Sequence, residues 1–358
     1  MTPVCTSVTV RVPATSANLG SGFDTLGLAL DYHDELVFTL SEDSADTTAH
    51  VIIHGEGADT LPRDETHLVV STFRRACSTF GLGRLGFTLE ATNNIPQARG
   101  MGSSAEAIVA GIAAAAAFAQ AGELNRQAIF DLAAHIEGHP DNVAPAVFGG
   151  LTVSWDFETG EGVGSVPIPG GEPLHGGFHT INYPVDQSVT AAVFVPDFEL
   201  STEKARQALP AQVPYRDAVY NVSRVGLLPA AMNPVVLAQA AAQESGSAEA
   251  DAGSDAPSTA ALNNAQREAN ALLFTATSDK LHQPYRTPLM QPSGDLIAKF
   301  RAKGYAAAVS GAGPCVMVLH YGDAREAIDQ LAAEELASGH WRVLHLPINT
   351  TGVEVQRA

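Results

Sequence analysis

Apolar and polar residues alternate at Val8, Val10 and Val12, the two-residue period of a strand with one buried face, and Pro13 predicts its end. Ala14 to Thr25, rich in Ser, Asn and Gly, predicts a loop. Similar short runs predict strands over residues 36–40, 51–54 and 86–91. Helices are predicted over 68–80, stopped by Gly81, over the Ala-rich 103–120, and over 125–136. The later half predicts a strand at 190–195, a helix at 295–303, strands at 306–309 and 315–320, a helix at 324–337 and a strand at 341–346. Strand, helix, strand, strand, helix, strand is the order of a ferredoxin-like α+β sandwich. The first half, strands followed by helices, is also α+β. The cluster Gly164, Pro167, Pro169, Gly170 and Gly171 predicts the boundary, giving units 1–172 and 173–358. Residues 243–258 hold four acids, no bases and no large apolar side chain, which predicts a disordered surface insert.

Charge narrows the partners. The 358 residues carry 20 Lys+Arg against 39 Asp+Glu, a formal charge of −19, which argues against nucleic acid and anionic membrane surfaces. An acidic chain that binds an anion must build a local site for it. Cys5, Cys77 and Cys315 have no paired spacing, so small apolar fillers in a reducing compartment are expected rather than disulfides or zinc. The N-terminus has no signal-peptide pattern, and the longest apolar run, 108–119, falls well short of the ~20 residues of a span, so a soluble cytoplasmic chain is expected.

Four segments carry candidate chemistry. Gly100-Met101-Gly102-Ser103-Ser104-Ala105 opens the strongest helix, where inward-facing amides, a helix N-terminus and two hydroxyls form an anion site without net positive charge. A capped helix start after a glycine turn would look the same. The spacing also fits a dinucleotide-binding loop, but Asn94, Ile95 and Pro96 precede it and helix follows helix, so that context fails. A Walker A loop fails for want of its lysine; the chain has none before Lys204. Glu137-Gly138-His139-Pro140-Asp141-Asn142 offers a carboxylate for a hard cation and hydrogen bonds for a polar substrate, or else is a polar turn after a helix. Zinc between His135 and His139 is disfavoured because Gly138 and Pro140 break the helix. Residues 16–24 and 310–314 read alone as a loop and a hairpin turn, and Arg206 and Arg286 as surface bases or carboxylate clamps.

Together, in order and over almost the whole chain, these segments resemble the GHMP kinase superfamily and, within it, the homoserine kinases. Pro13-Ala14-Thr15-Ser16-Ala17-Asn18-Leu19-Gly20-Ser21-Gly22-Phe23-Asp24 resembles the first motif, Pro96 to Ala105 the glycine-rich ATP loop, Glu137 to Pro145 the E-G-H-P-D-N-V-A-P run, and Ser310 to Pro314 the third motif. The resemblance implies a two-domain fold, a ribosomal-S5-like α+β domain followed by a ferredoxin-like α+β sandwich, with ATP between them. It implies phosphorylation of the L-homoserine side-chain hydroxyl to O-phospho-L-homoserine, a step of threonine biosynthesis, with ATP and Mg²⁺, by a cytoplasmic homodimer.

By position, Pro96, Gln97, Ala98, Arg99, Gly100, Met101, Gly102, Ser103, Ser104, Ala105 and Glu106 would form the ATP loop. Ser104 and Glu137 would hold Mg²⁺ and, with Thr202, lie close to the reacting groups. Asn18, Asp24, His139 and Asn142 would contact homoserine, and Arg206 and Arg286 its carboxylate. No general base is implied. Met101 replaces the usual Leu, Glu106 replaces a small residue and is expected to face solvent, and His67 stands where Asn is frequent near the adenine. A kinase for another small alcohol, or an inactive sensor, are the competing readings.

Overall fold

A computed structural model describes residues 1–43, 45–235, 238–239 and 259–358; the insert expected at 243–258 lies outside the described residues. The first sheet begins with β1 (Ser7–Asn18) and β2 (Gly22–Leu40), which pair antiparallel. Pro13 does not end β1. The register shifts between Pro13 and Ala14, and the missing N–H falls at that irregularity, so the strand continues through the segment expected as a loop. Next come β3 (Ala49–Gly55), α1 (Leu68–Thr79), β4 (Phe87–Asn93), α2 (Ser103–Ala119), α3 (Arg126–Glu137), α4 (Val143–Phe148) and β5 (Leu151–Phe157).

The long β2 serves two sheet branches. Its residues 35–40 pair with β4, and 26–28 pair with β5. Only the first of these stretches was expected as a strand. The second, Leu26 to Leu30, is buried throughout and has no periodic polar face, so alternation does not reveal it. The helices cover one face. Val8, Val10, Val12, Leu36, Phe38 and Leu89 of the sheet pack with Phe73 of α1, Ile108, Val109 and Ile112 of α2, and Phe130 of α3. Alanines keep α2 thin, and at Gly111 an added Cβ would lie 2.8 Å from the Val69 carbonyl oxygen of α1.

A two-residue ribbon, β6 (Ser165–Val166) with β7 (Leu174–His175), precedes β8 (Gly177–Tyr183). β8 pairs with β5, and the final strand β13 (Glu354–Arg357) pairs with β1, so both belong to the seven-stranded first sheet. Both fall within 173–358, the stretch expected to form the second unit. We propose the division after Tyr183, with the last strand returned to the first unit.

The second sheet contains β9 (Val189–Pro196), β10 (Ala306–Val309), β11 (Val316–Tyr321) and β12 (Trp341–Pro347) in the antiparallel order β10-β11-β9-β12. This is the expected ferredoxin-like arrangement. Between β9 and β10 run α5 (Thr202–Gln207), α6 (Tyr215–Val225), α7 (Leu228–Met232), α8 (Thr259–Ala276), α9 (Gln283–Arg286) and α10 (Gln291–Arg301); α11 (Arg325–Leu331) and α12 (Ala333–Ala337) precede β12. Phe194, Val316 and Val318 pack on Leu296, Phe300 and Ile328. On the other face Val193, Met317 and Leu319 join Leu19, Leu26, Leu28 and Leu151 in one core spanning both units. Burial on both faces explains the unbroken apolar runs of these strands. No described helix is long and apolar enough to cross a membrane.

Candidate active site

The glycine loop between β4 and α2 is shaped by backbone that only small side chains permit. Ala98, Gly100 and Gly102 have φ of 51°, 79° and 75°. A Cβ on Gly100 would meet the Ser310 carbonyl oxygen at 2.1 Å, and one on Gly102 the Thr15 hydroxyl at 1.9 Å. The other motifs therefore press directly on the loop. Thr15 N–H donates to Met101 O at 3.1 Å, Gly311 N–H to Ala17 O at 3.1 Å, and the Ser310 hydroxyl to Gly100 O at 2.7 Å.

Gly102 caps α2 without a side-chain bond, and the first intrahelical bond is Glu106 N–H to Gly102 O at 2.9 Å. The preceding amides have no helical acceptor, which leaves them for an anion at the positive end of a 17-residue helix. Gly100, Met101, Gly102, Ser103 and Ser104 line one side of a cavity of about 340 Å³. Asn18, Asp24, Ala98, Glu137, His139, Asp141, Asn142, Thr202, Arg206, Arg286, Gly311 and Ala312 complete it. Residues from both units and from all four motifs thus meet at one place.

Glu137 ends α3, and Gly138, at φ 84°, turns the chain so that the following residues face the same cavity. The Ser104 hydroxyl donates to Glu137 Oε2 at 2.9 Å. Burial raises the Glu137 pKa, against the hydrogen bond from Ser104 and the neighbouring His139. Two hard oxygen donors, one carboxylate and one hydroxyl, beside free amides fit a cation that takes its remaining ligands from phosphate and water. No group of three or more His, Cys, Asp or Glu suited to a metal occurs among the described residues. His139 Nδ1 and Asp141 Oδ1 lie 2.7 Å apart, while Nε2 is 3.9 Å from Glu137 Oε1. Burial alone would lower the His139 pKa; the Asp141 hydrogen bond and both carboxylates outweigh it and raise it. Asn142 Oδ1 accepts from the Thr15 hydroxyl at 2.9 Å.

Opposite, Arg206 grips Asp24 bidentately, with both N···O distances 3.0 Å. Arg286 is 2% exposed and has no carboxylate partner among the described residues; its Nε and Nη1 reach the Ala205 and Gly311 carbonyls at 3.4 and 3.3 Å. Asn18 is fully engaged by backbone, donating to Gly311 O at 2.7 Å and accepting from Asp24 N–H at 2.9 Å, so it fixes the loop beside the cavity. Thr202 is the first residue of α5 and faces the cavity.

Other expected positions lie elsewhere. Pro96, Gln97, Arg99, Ala105 and Glu106 do not line the cavity. The Arg99 guanidinium turns to the Gln97 and Pro196 carbonyls, both at 3.0 Å, and ties the loop to β9. His67, the residue before α1, is buried with neither ring nitrogen hydrogen-bonded among the described residues, and burial lowers its pKa. Gly311 and Ala312 of the third motif, for which the sequence offers no individual role, also line the cavity, as does Asp141 from the hydrogen-bonding run 137–142.

Glu106 does not face solvent: it is 4% exposed, because α2 is enclosed by α1, α3 and the sheet. Its carboxyl meets Asp34, which accepts the Asn94 and Ile95 N–H groups at 2.6 and 2.8 Å and so pins the start of the loop. Burial, then the Asp34 charge, raises Glu106 well above the carboxylate range, and burial pushes Asp34 up to about 6. Folding therefore retains protons that the unfolded chain loses near pH ~4.3. This contribution to stability is complete below that pH and is lost as pH rises through about 6 and beyond. Glu106→Gln keeps a donor toward Asp34 and removes the ionisation. Thermal unfolding at pH 8 should show a Tm higher by a few degrees, with no gain near pH 4; equal shifts at both would refute the buried acid pair.

Residues 67–150 match the GHMP kinases N terminal domain and residues 258–337 the GHMP kinases C terminal domain. The chain is 38% identical over 350 residues to a homoserine kinase of Clavibacter michiganensis subsp. michiganensis, covering 98% of this chain and 94% of that protein. It is 39% identical over 334 residues to a homoserine kinase of Streptomyces coelicolor, covering 93% and 90%. A crystal structure of homoserine kinase from Cytophaga hutchinsonii superposes with a TM-score of 0.72 at 24% identity, over 98% of this chain and 97% of that one. A mevalonate kinase structure, at 12% identity and TM-score 0.56 over 96% and 99%, shares the fold. By sequence over nearly its whole length, and by the fold that brings the four motifs to one cavity, the chain belongs to the homoserine kinase family of the GHMP kinases.

Proposed function

We propose that this protein transfers the γ-phosphoryl group of ATP to the side-chain hydroxyl of L-homoserine, giving O-phospho-L-homoserine for threonine biosynthesis. The observation that carries the reading is the pairing, in one cavity, of the α2 amide cradle with the Asp24–Arg206 ion pair and Arg286. The cradle suits a polyphosphate. An ion pair that neutralises itself when alone suits a zwitterion, whose ammonium and carboxylate can each take one partner.

The amides of Gly102, Ser103 and Ser104 would hold phosphate oxygens where charge builds during transfer, a preorganised contact that water does not provide. Ser104 and Glu137 would hold Mg²⁺. The ion would supply neutralisation of phosphate charge. His139, fixed by Asp141, and Asp24 would orient the amino-alcohol end, with Asn142 behind them and Thr202 near the reacting hydroxyl. Asp24 carries both oxygens in the Arg206 fork, so no base is assigned to it; a loose transition state needs positioning more than early proton removal. The homodimer and cytoplasmic location implied by the family belong to the same reading.

ADP release with Mg-ATP tests it, comparing L-homoserine with mevalonate, galactose and L-threonine. Homoserine should be preferred at least about tenfold in kcat/KM, the scale of one buried charged contact. Preference for an alcohol without a carboxylate would leave the ATP cradle standing and refute the substrate.

A further inference from the structure

Arg286 is a buried cation with no carboxylate partner among the described residues, and besides the Ala205 and Gly311 carbonyls the side chain that holds it is a histidine. His282 is fully buried, immediately before α9, and stacks on Phe23 at 5.2 Å between ring centroids. Its Nε2 lies 2.9 Å from Gly20 O and its Nδ1 3.2 Å from Arg286 Nη1. A carbonyl only accepts and a guanidinium only donates, so the proton sits on Nε2 and Nδ1 accepts. Both ends of this relay are fixed. Gly20, at φ 80°, is pressed against Thr277, whose carbonyl oxygen would lie 2.1 Å from an added Cβ. Asp279 accepts the Leu281, His282 and Gln283 N–H groups at 2.8, 3.0 and 2.7 Å and fixes the backbone that carries the ring.

We propose that His282, in its neutral Nε2–H form, is a positioning residue for substrate: it holds Arg286 so that Nη2 is left for the homoserine carboxylate. Nη2 has no protein acceptor among the described residues, and Arg286 lines the cavity. The Phe23 ring under the guanidinium, 5.2 Å from it, sets the same plane. Burial lowers the His282 pKa, in keeping with that geometry, and the Arg286 charge acts in the same direction against Asp279. A protonated ring would have no acceptor to offer and would repel the arginine.

The inference rests on homoserine being the substrate, and its test separates the two. His282→Gln can still donate to Gly20 but has no acceptor at the Nδ1 position; His282→Asn retains an acceptor there. KM for homoserine and for ATP, kcat, and Tm are measured for the full chain and both variants. 3-Aminopropan-1-ol, the same alcohol without the carboxylate, is run alongside. H282Q should raise the homoserine KM about tenfold or more, the loss of one hydrogen bond to a charged group. Its ATP KM and Tm should stay unchanged, and its preference over 3-aminopropan-1-ol should shrink by the same factor. H282N should remain within about threefold of the parent. An unchanged homoserine KM in H282Q, or a joint rise of both KM values with a lower Tm, overturns the proposal. If the parent chain itself does not favour homoserine over 3-aminopropan-1-ol, the substrate assignment fails and this role falls with it. A readout that needs no variant is the ¹⁵N spectrum of histidine-labelled protein. A neutral Nε2–H tautomer for His282 between pH 6 and 8 supports the relay, and a protonated ring or Nδ1–H form overturns it.

Discussion

Glu137→Gln is expected to lower kcat by at least about a hundredfold, the scale of losing one charge-stabilising contact to the transition state. Gln preserves the volume and can still accept from the Ser104 hydroxyl, now at 2.9 Å from Glu137 Oε2, so local packing is retained. What disappears is the negative charge offered to a cation beside the phosphate cradle. Because burial raises the pKa of this carboxyl, neutralising it should leave Tm unchanged or slightly higher. Homoserine KM should change little, since Asp24, Arg206 and Arg286 are intact. Single-turnover kinetics with a thermal melt check the split. Activity within tenfold of the parent would remove Glu137 from the proposed metal pair.

Gly102→Ala is expected to weaken productive ATP binding, and Gly81→Ala provides its control. Both glycines have φ 75°, so an alanine at either position pays the left-handed penalty of about 1–2 kcal/mol. They differ in their surroundings. Beyond Gly81 nothing lies within 4 Å of an added Cβ, whereas at Gly102 that atom would fall 1.9 Å from Thr15 Oγ1 and 3.2 Å from Asn142 Oδ1. The Thr15–Asn142 hydrogen bond must break or the loop must move, and either displaces the first amides of α2. Gly81→Ala should lose a few degrees of Tm with kinetics unchanged. Gly102→Ala should raise the ATP KM more than about tenfold and also lower kcat, because the amides that would bind ground-state phosphate also face the developing charge. Equal kinetics in the two variants would refute the cradle.

The sequence alone determined those features that local chemistry specifies. Alternation marked the opening strand, apolar runs marked the strands of the second sheet, glycine and serine marked the start of α2, and the four motifs in order carried the family. Beyond that, several things depended on which surfaces meet. Strands β5, β8 and β13 were not visible as members of the first sheet because pairing between distant segments leaves no period in either one. Pro13 ended a strand on paper and not in the fold, since a register shift places its missing N–H where no partner is needed. Glu106 looked solvated by its position in the first turn, but helices and sheet close around α2 and leave it against Asp34. Arg99 stood inside the phosphate motif, yet carbonyls of its own loop and of β9 claim its guanidinium. Conversely, Asp24 and Arg206, 182 residues apart, become a bidentate pair only when the second unit folds over the first. Residue type fixes what a side chain can donate, accept or carry; which partner satisfies it is decided by burial, and burial is a property of the tertiary structure.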